Sequence, residues 1–230
     1  MSNNTRSDIK TLAYVLKRTN YGEADRILNL ITPDGKIAAI AKGVRKEKSK
    51  LAGGIEMFSL VELHIRRGKN ELGVVSGAKM LKYYGELLRD LNKMELAAMI
   101  LKNVSRLAES SDSPEYFEIV DQSLNGLNGG LDASLVEAWF WINLMKVSGE
   151  EVNLYRDADG EKLSPEYTYA WDALAGVFYR KDNGEYGVNE IKVLRLILTT
   201  NLAVVAKIKG LEKMLPNILK LARSAGRANG

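Results

Sequence analysis

The residues with the clearest chemistry form one run, Lys42-Gly43-Val44-Arg45-Lys46-Glu47-Lys48-Ser49-Lys50. It lies between two segments that read as β-strands, with a glycine for the turn and spaced cations after it. Ammonium and guanidinium groups at that density suit a polyanion, because each one that displaces a condensed counterion adds affinity without reading base sequence. Arg66, Arg67 and Lys69 form a second basic set at a later turn, and Arg18 and Arg26 lie at or near strand ends. Loops at one end of a small barrel lie close together, so these cations are expected to share one groove. Tyr21, beside Gly22, either stacks on a base or packs in its own loop. Aromatic residues are otherwise sparse in this part, which favours binding dominated by the phosphate backbone. The plainer alternative is a solvated charged face.

The catalytic inventory is thin. His64 is the only histidine, and it alternates with Leu63 and Ile65 as an ordinary strand position would. There is no cysteine to act as nucleophile or thiolate ligand, and no Gly-x-x-x-x-Gly-Lys-Ser/Thr loop to cradle a nucleotide. Asp157-x-Asp159-Gly160 lacks the further acidic ligands of a calcium loop and reads as a β-turn. Glu109-Ser110-Ser111-Asp112 and Glu150-Glu151 read as solvated loops. No enzyme, cofactor or metal is expected.

A separate basic block lies near the C-terminus: Lys207, Lys209, Lys213, Lys220 and Arg223, beside Leu211, Met214, Leu215 and Ile218. Lys209, Lys213 and Arg223 could receive a peptide that presents acidic and apolar side chains. Equally, they could be the basic last turns that a helix dipole favours.

These residues need elements to hold them. From Ile9 to Ala78, short apolar segments are separated by turn residues: Leu12–Leu16, Arg26–Thr32, Lys36–Val44, Phe58–Ile65 and Leu72–Val75. Pro33-Asp34-Gly35 between two of them is a hairpin signal. About five strands in so short a stretch fit a small Greek-key barrel of the OB type. Beyond Tyr84 the period becomes helical. Helices are expected over Met94–Leu107, from Pro114 towards Gly126, from a cap at Asp132 or Ser134 to Gly149, over Val188–Val205 and over Met214–Ala222. Residues 150–187 lack that period and read as a small β insertion. The fold class is therefore α+β, with an OB-type β-barrel domain at 1–82 and a helical bundle domain at 83–230.

Charge is unevenly spread. Residues 1–90 hold 17 Lys and Arg against 10 Asp and Glu; residues 91–190 hold 8 against 18; residues 191–230 hold 8 against 1. Basic ends around an acidic middle point to nucleic acid, a membrane surface or acidic peptides. The apolar stretch Ile191–Ile208 is broken by Lys192, Arg195, Asn201 and Lys207, against a membrane span, and the N-terminus has no signal core. A soluble, cytoplasmic protein is expected.

With these residues placed, the chain resembles the RecO recombination-mediator family. The likeness runs through Tyr14–Arg18, Tyr21–Ile27, Thr32–Lys36, Ala41–Lys46, Ser49–Leu51 and Phe58–Leu63, and more loosely through Trp139–Gly149 and Ile191–Leu221. Many relatives carry four zinc-binding cysteines at the place of residues 150–187, where this chain has none. Packing of Tyr155, Tyr167, Tyr169, Trp171, Phe178 and Tyr179 is expected to hold the insertion instead. The resemblance implies an accessory protein of the RecF pathway in DNA repair and homologous recombination. It would bind single- and double-stranded DNA, anneal complementary strands, and work with RecR to load RecA on strands coated by single-stranded-DNA-binding protein. It also implies binding to that coat protein's C-terminal tail and a place with the nucleoid. By position, Lys42, Arg45, Lys46 and Lys50 match the family's basic run, for which DNA contact is implied. The competing functions are a protein-interaction scaffold, an RNA-binding OB protein acting in translation, and an undetected nuclease.

Overall fold

The computed structural model describes residues 8–67, 72–109 and 113–228, with side chains to Gly226. The chain divides into two compact units, Met1–Leu124 and Asn125–Gly230.

The first unit is built on a closed five-stranded barrel, β1 (Asp8–Tyr21), β2 (Asp25–Thr32), β3 (Gly35–Ala41), β4 (Ser59–Arg66) and β5 (Gly73–Tyr83), in the order β1-β2-β3-β5-β4. This is the OB arrangement. β1 serves two neighbours: its first half pairs with β4 (Asp8 opposite Arg66), its second with β2 (Tyr21 opposite Asp25), and Tyr14 belongs to both ladders. Alternation explains the core. Ala13, Val15, Leu28, Leu30, Val61, Leu63 and Ile65 point inwards, and Val44 and Ile55, outside the strands, fill the same interior. The β2–β3 hairpin forms where Gly35 takes φ 106°, with the Thr32 hydroxyl donating to the Gly35 carbonyl at 2.8 Å.

β1 and β5 are longer than the sequence pattern indicates. The outer half of β5, with Ser76, Gly77 and Lys79, has no apolar alternation, yet its ladder with β4 continues to Tyr83. Barrel closure supplies hydrogen-bond partners that periodicity does not register. α1 (Leu91–Leu107) follows, capped by Asp90, whose carboxylate accepts from the Asn92 and Lys93 amides. α2 (Glu115–Asn128) leads towards the second unit.

The second unit holds α3 (Ala133–Val147), capped by Asp132, then a hairpin of β6 (Tyr169–Asp172) and β7 (Val177–Arg180), then α4 (Val188–Thr199), α5 (Leu202–Val205) and α6 (Leu211–Ala228). The expected helix Val188–Val205 is two. The hydroxyls of Thr199 and Thr200 bond back to the Arg195 and Leu196 carbonyls, Thr200 turns extended, and Asn201 caps the short α5. In the insertion, Tyr169, Phe178 and Tyr186 are buried. Tyr155, Tyr167 and Tyr179 are exposed, contrary to the expected packing. Arg195 and Arg180 lie over the Tyr155 and Tyr167 rings, at 4.9 and 4.4 Å, so those faces meet guanidinium groups on the surface. Among the described residues, no helix is long and apolar enough to cross a membrane.

Candidate nucleic-acid interface

The basic run leaves β3 at Ala41 and winds through consecutive turns. Its backbone is fastened at several points. The Gly43 amide donates to the Asp25 carboxylate at 2.7 Å, the Arg45 amide to the Ala24 carbonyl at 2.9 Å, and the Lys46 amide to the Gly43 carbonyl at 3.1 Å. Val44 is 3% exposed and anchors the turn in the barrel interior. The run is therefore a set of hydrogen-bonded turns.

Lys42, Arg45, Lys46, Lys48 and Lys50 are all exposed and form no ion pair among the described residues. Arg45 Nη1 approaches the Gly22 carbonyl at 3.3 Å, which brings the β1–β2 turn alongside. Tyr21 is 56% exposed on that turn. A fastened backbone with free cations and an open ring nearby can meet phosphates and stack a base.

The other predicted cations fare differently. Arg18 is taken by Glu56 at 2.8 Å. Arg26 donates from Nε to the Asn20 side chain at 3.2 Å. Arg66 and Arg67 are exposed, with Arg66 Nε 3.7 Å from Asp8. Lys69 lies outside the described residues, as do residues 110–112 of the expected acidic loop. Register separates the two basic sets, because Arg66 faces the first residue of β1 while the basic turns bond to the turn that follows its last. The single shared groove expected from loops at one end is not what the barrel provides. Asp25, which fastens the turn, stands 18 residues before Gly43, and nothing in spacing links the two.

In the second unit, Lys209 and Lys213 are exposed. Arg223 makes a two-bonded pair with Glu137, at 2.7 and 2.6 Å, which holds its guanidinium above its ordinary pKa, and Lys220 bonds Glu185 at 2.6 Å. Arg223 and Lys220 line a groove of about 590 Å³ together with the apolar Leu174, Pro216 and Leu219; Lys209 and Lys213 do not line it.

His64 sits on the outer barrel face beside Glu62 at 3.8 Å, an ordinary strand position. Residues of the insertion do not fit a zinc ion. The chain has no cysteine, and among the described residues no three acidic or histidine groups converge. The buried Asp157 accepts from the Asp159 and Glu161 amides with one carboxylate oxygen and faces Arg180 Nε at 3.3 Å with the other.

Comparison with known proteins gives two adjoining family matches. Residues 6–84 match the family described as recombination protein O N terminal, and residues 88–226 match recombination protein O C terminal. A DNA repair protein RecO from Dehalococcoides mccartyi is 32% identical over 210 residues, covering 88% of this chain and 83% of the relative. One from Rubrobacter xylanophilus is 28% identical over 228 residues, covering 94% and 92%.

Proposed function

Because the chain belongs to the recombination protein O (RecO) family, a family of DNA repair and recombination, we propose that it is a mediator that binds DNA through the barrel's basic turns. On this reading it anneals complementary single strands and, with RecR, assists RecA onto strands coated by single-stranded-DNA-binding protein, in association with the nucleoid. Residues 1–82 would be the DNA-binding domain. Residues 83–230 would be a helical domain with its insertion at about 150–187.

The observation that carries the reading is the exposure of Lys42, Arg45, Lys46, Lys48 and Lys50, without acidic partners, on a backbone fastened by Asp25 and Ala24. Two strands repel each other, and cations held in place lower that cost by replacing the counterions of both. The groove lined by Lys220, Arg223 and apolar Leu174, Pro216 and Leu219 supports docking of the coat protein's acidic, apolar tail. Lys209 and Lys213 would then act at a distance, by drawing the tail in.

The test is a salt titration of single-stranded DNA binding with Arg45→Gln, Lys46→Gln and Lys48→Gln combined. Three lost phosphate contacts should lower the slope of log K against log salt by about 2, equally for all sequences. An unchanged slope would remove phosphate contact from these turns.

A further inference from the structure

We propose that the phosphate track continues from the basic turns into a groove between β1 and α1, formed by Lys17, Lys102 and Arg106, and that its occupant is the backbone of single-stranded DNA. This rests on the reading that the basic turns bind DNA.

The groove, about 440 Å³, has Lys17 beside Leu16 on one wall and Lys102 and Arg106 with Ala98 on the other, and Met57 also lines it. That volume falls within the range of built ligand pockets. Ala98, Lys102 and Arg106 follow one another at four-residue intervals, so they form one stripe on the side of α1 that is not packed. Alanine at the first position keeps the groove open. Lysine and arginine at the next two place like charges on one helix face, an arrangement that by itself weakens a helix. Arg106, in the last turn, is favoured by the dipole of α1. Lys102 lies more than a turn earlier and Lys17 on a strand, so the dipole accounts for neither.

The carboxylate of Glu109, also on the lining, is already occupied: Lys36 Nζ lies 3.2 Å from it and donates to the Ser105 carbonyl at 3.1 Å. Lys17, Lys102 and Arg106 form no ion pair among the described residues. Arg106 donates to the Asn103 side chain at 3.3 Å, a neutral partner that leaves its charge uncompensated. A concave surface with three cations free of acidic partners and apolar Leu16, Met57 and Ala98 matches a chain that alternates phosphate with sugar and base.

Continuity with the turns is also visible. After Lys50 the chain makes a short 3-10 turn at Ala52–Gly54 and arrives at Met57 in the groove lining. Arg18, next to Lys17, holds Glu56, next to Met57. Lys17 lies in the half of β1 that pairs with β2, the half nearest the basic turns, whereas Arg66 lies at the other end.

The experiment is a salt titration of the whole chain with a fluorescent thymidine homopolymer. Three variants are compared: Lys17→Gln/Lys102→Gln/Arg106→Gln, Arg66→Gln/Arg67→Gln, and the turn triple. We expect the groove triple to lower the slope by about 2 and the Arg66/Arg67 double to leave it unchanged. Circular dichroism checks that each variant is folded. A groove triple with the parent slope overturns the inference, and a turn triple that still lowers the slope in that case leaves the DNA reading intact. A parent slope in the turn triple overturns that reading separately. If the groove triple instead loses affinity for an aspartate-rich peptide with its DNA slope intact, the groove is a peptide site and the inference fails.

Discussion

The two basic ends of the chain carry the same excess of seven positive charges, yet the turns that follow β3 and the last turns of α6 use theirs in opposite ways. In the turns after β3 it is backbone amides that are fastened, by the Asp25 carboxylate and the Ala24 carbonyl, and the side chains of Lys42, Lys46, Lys48 and Lys50 are left over. On α6, side chains do the fastening: Arg223 is bound by Glu137 and Lys220 by Glu185. Net charge of a segment is therefore not a measure of the charge available to a partner. The available part depends on which acids, distant in sequence, reach it.

The largest effect should come from removing free charge. The turn triple described above should lower the DNA salt slope by about 2. Removing committed cations of α6, as Lys220→Gln with Arg223→Gln, should leave the slope within error of the parent. An equal loss per charge from both variants would erase the distinction between the two ends.

Next in size is a stability effect that separates a buried tie from a surface one. Tyr14 donates to Asp121 at 2.6 Å and shares a 2.7 Å bond with the Tyr84 hydroxyl, all within the first unit. Tyr14→Phe removes this hydroxyl from a buried network and should cost about 1–3 kcal/mol in urea unfolding. Burial, then the bonds to Asp121 and Tyr84, push the Tyr14 hydroxyl above its ordinary pKa. A folded value above the unfolded one, near 10, leaves stability intact below about pH 10 and erodes it as pH rises further, because the unfolded chain loses that proton first. The phenylalanine variant should be less stable at neutral pH and show a shallower alkaline decline. An identical decline in both proteins would mean that this tie does not set it.

A smaller effect should separate position from charge. Asp25→Ala removes the acceptor of the Gly43 amide while leaving every cation in place. DNA affinity should fall severalfold with no change in salt slope, and stability by about 1 kcal/mol. Asp25→Asn keeps an acceptor oxygen and should restore most of the affinity. A slope change in Asp25→Ala would show that the turn had lost its phosphate contacts outright.

How much of this was legible follows the same divide between local and distant causes. The barrel, the Thr32–Gly35 hairpin and the Asp132 cap were readable, because each is written within a few neighbouring residues. The basic turns were readable as a motif for the same reason. The commitment of Arg18 was not, since Glu56 lies 38 residues away and nothing in spacing links them. The break at Thr200 was missed because apolar residues on both sides kept the helical period while two hydroxyls redirected the backbone. Tyr186 escaped notice as a core residue because it stands among turn residues, and a bridge to Tyr169 brings it inside. The stripe Ala98-Lys102-Arg106 was present in the sequence, but only β1 gives it an opposite wall.

The smallest expected effect is also the most direct challenge to the contrast between the ends. Glu137→Gln and Glu185→Gln together should release Arg223 and Lys220 without removing a cation. Both pairs are largely at the surface, the cations 47% and 64% exposed, so the loss of stability should stay below about 1 kcal/mol. If pairing is what withholds these charges, the freed cations should steepen the DNA salt slope by about 1. They should also tighten binding of an acidic, apolar tail peptide at low salt, since they line the groove on α6. A tighter peptide with an unchanged DNA slope would show that shape, as well as pairing, keeps DNA from this end. No change in either would mean that the ion pairs are incidental, and the two basic ends would then differ for a reason other than committed charge.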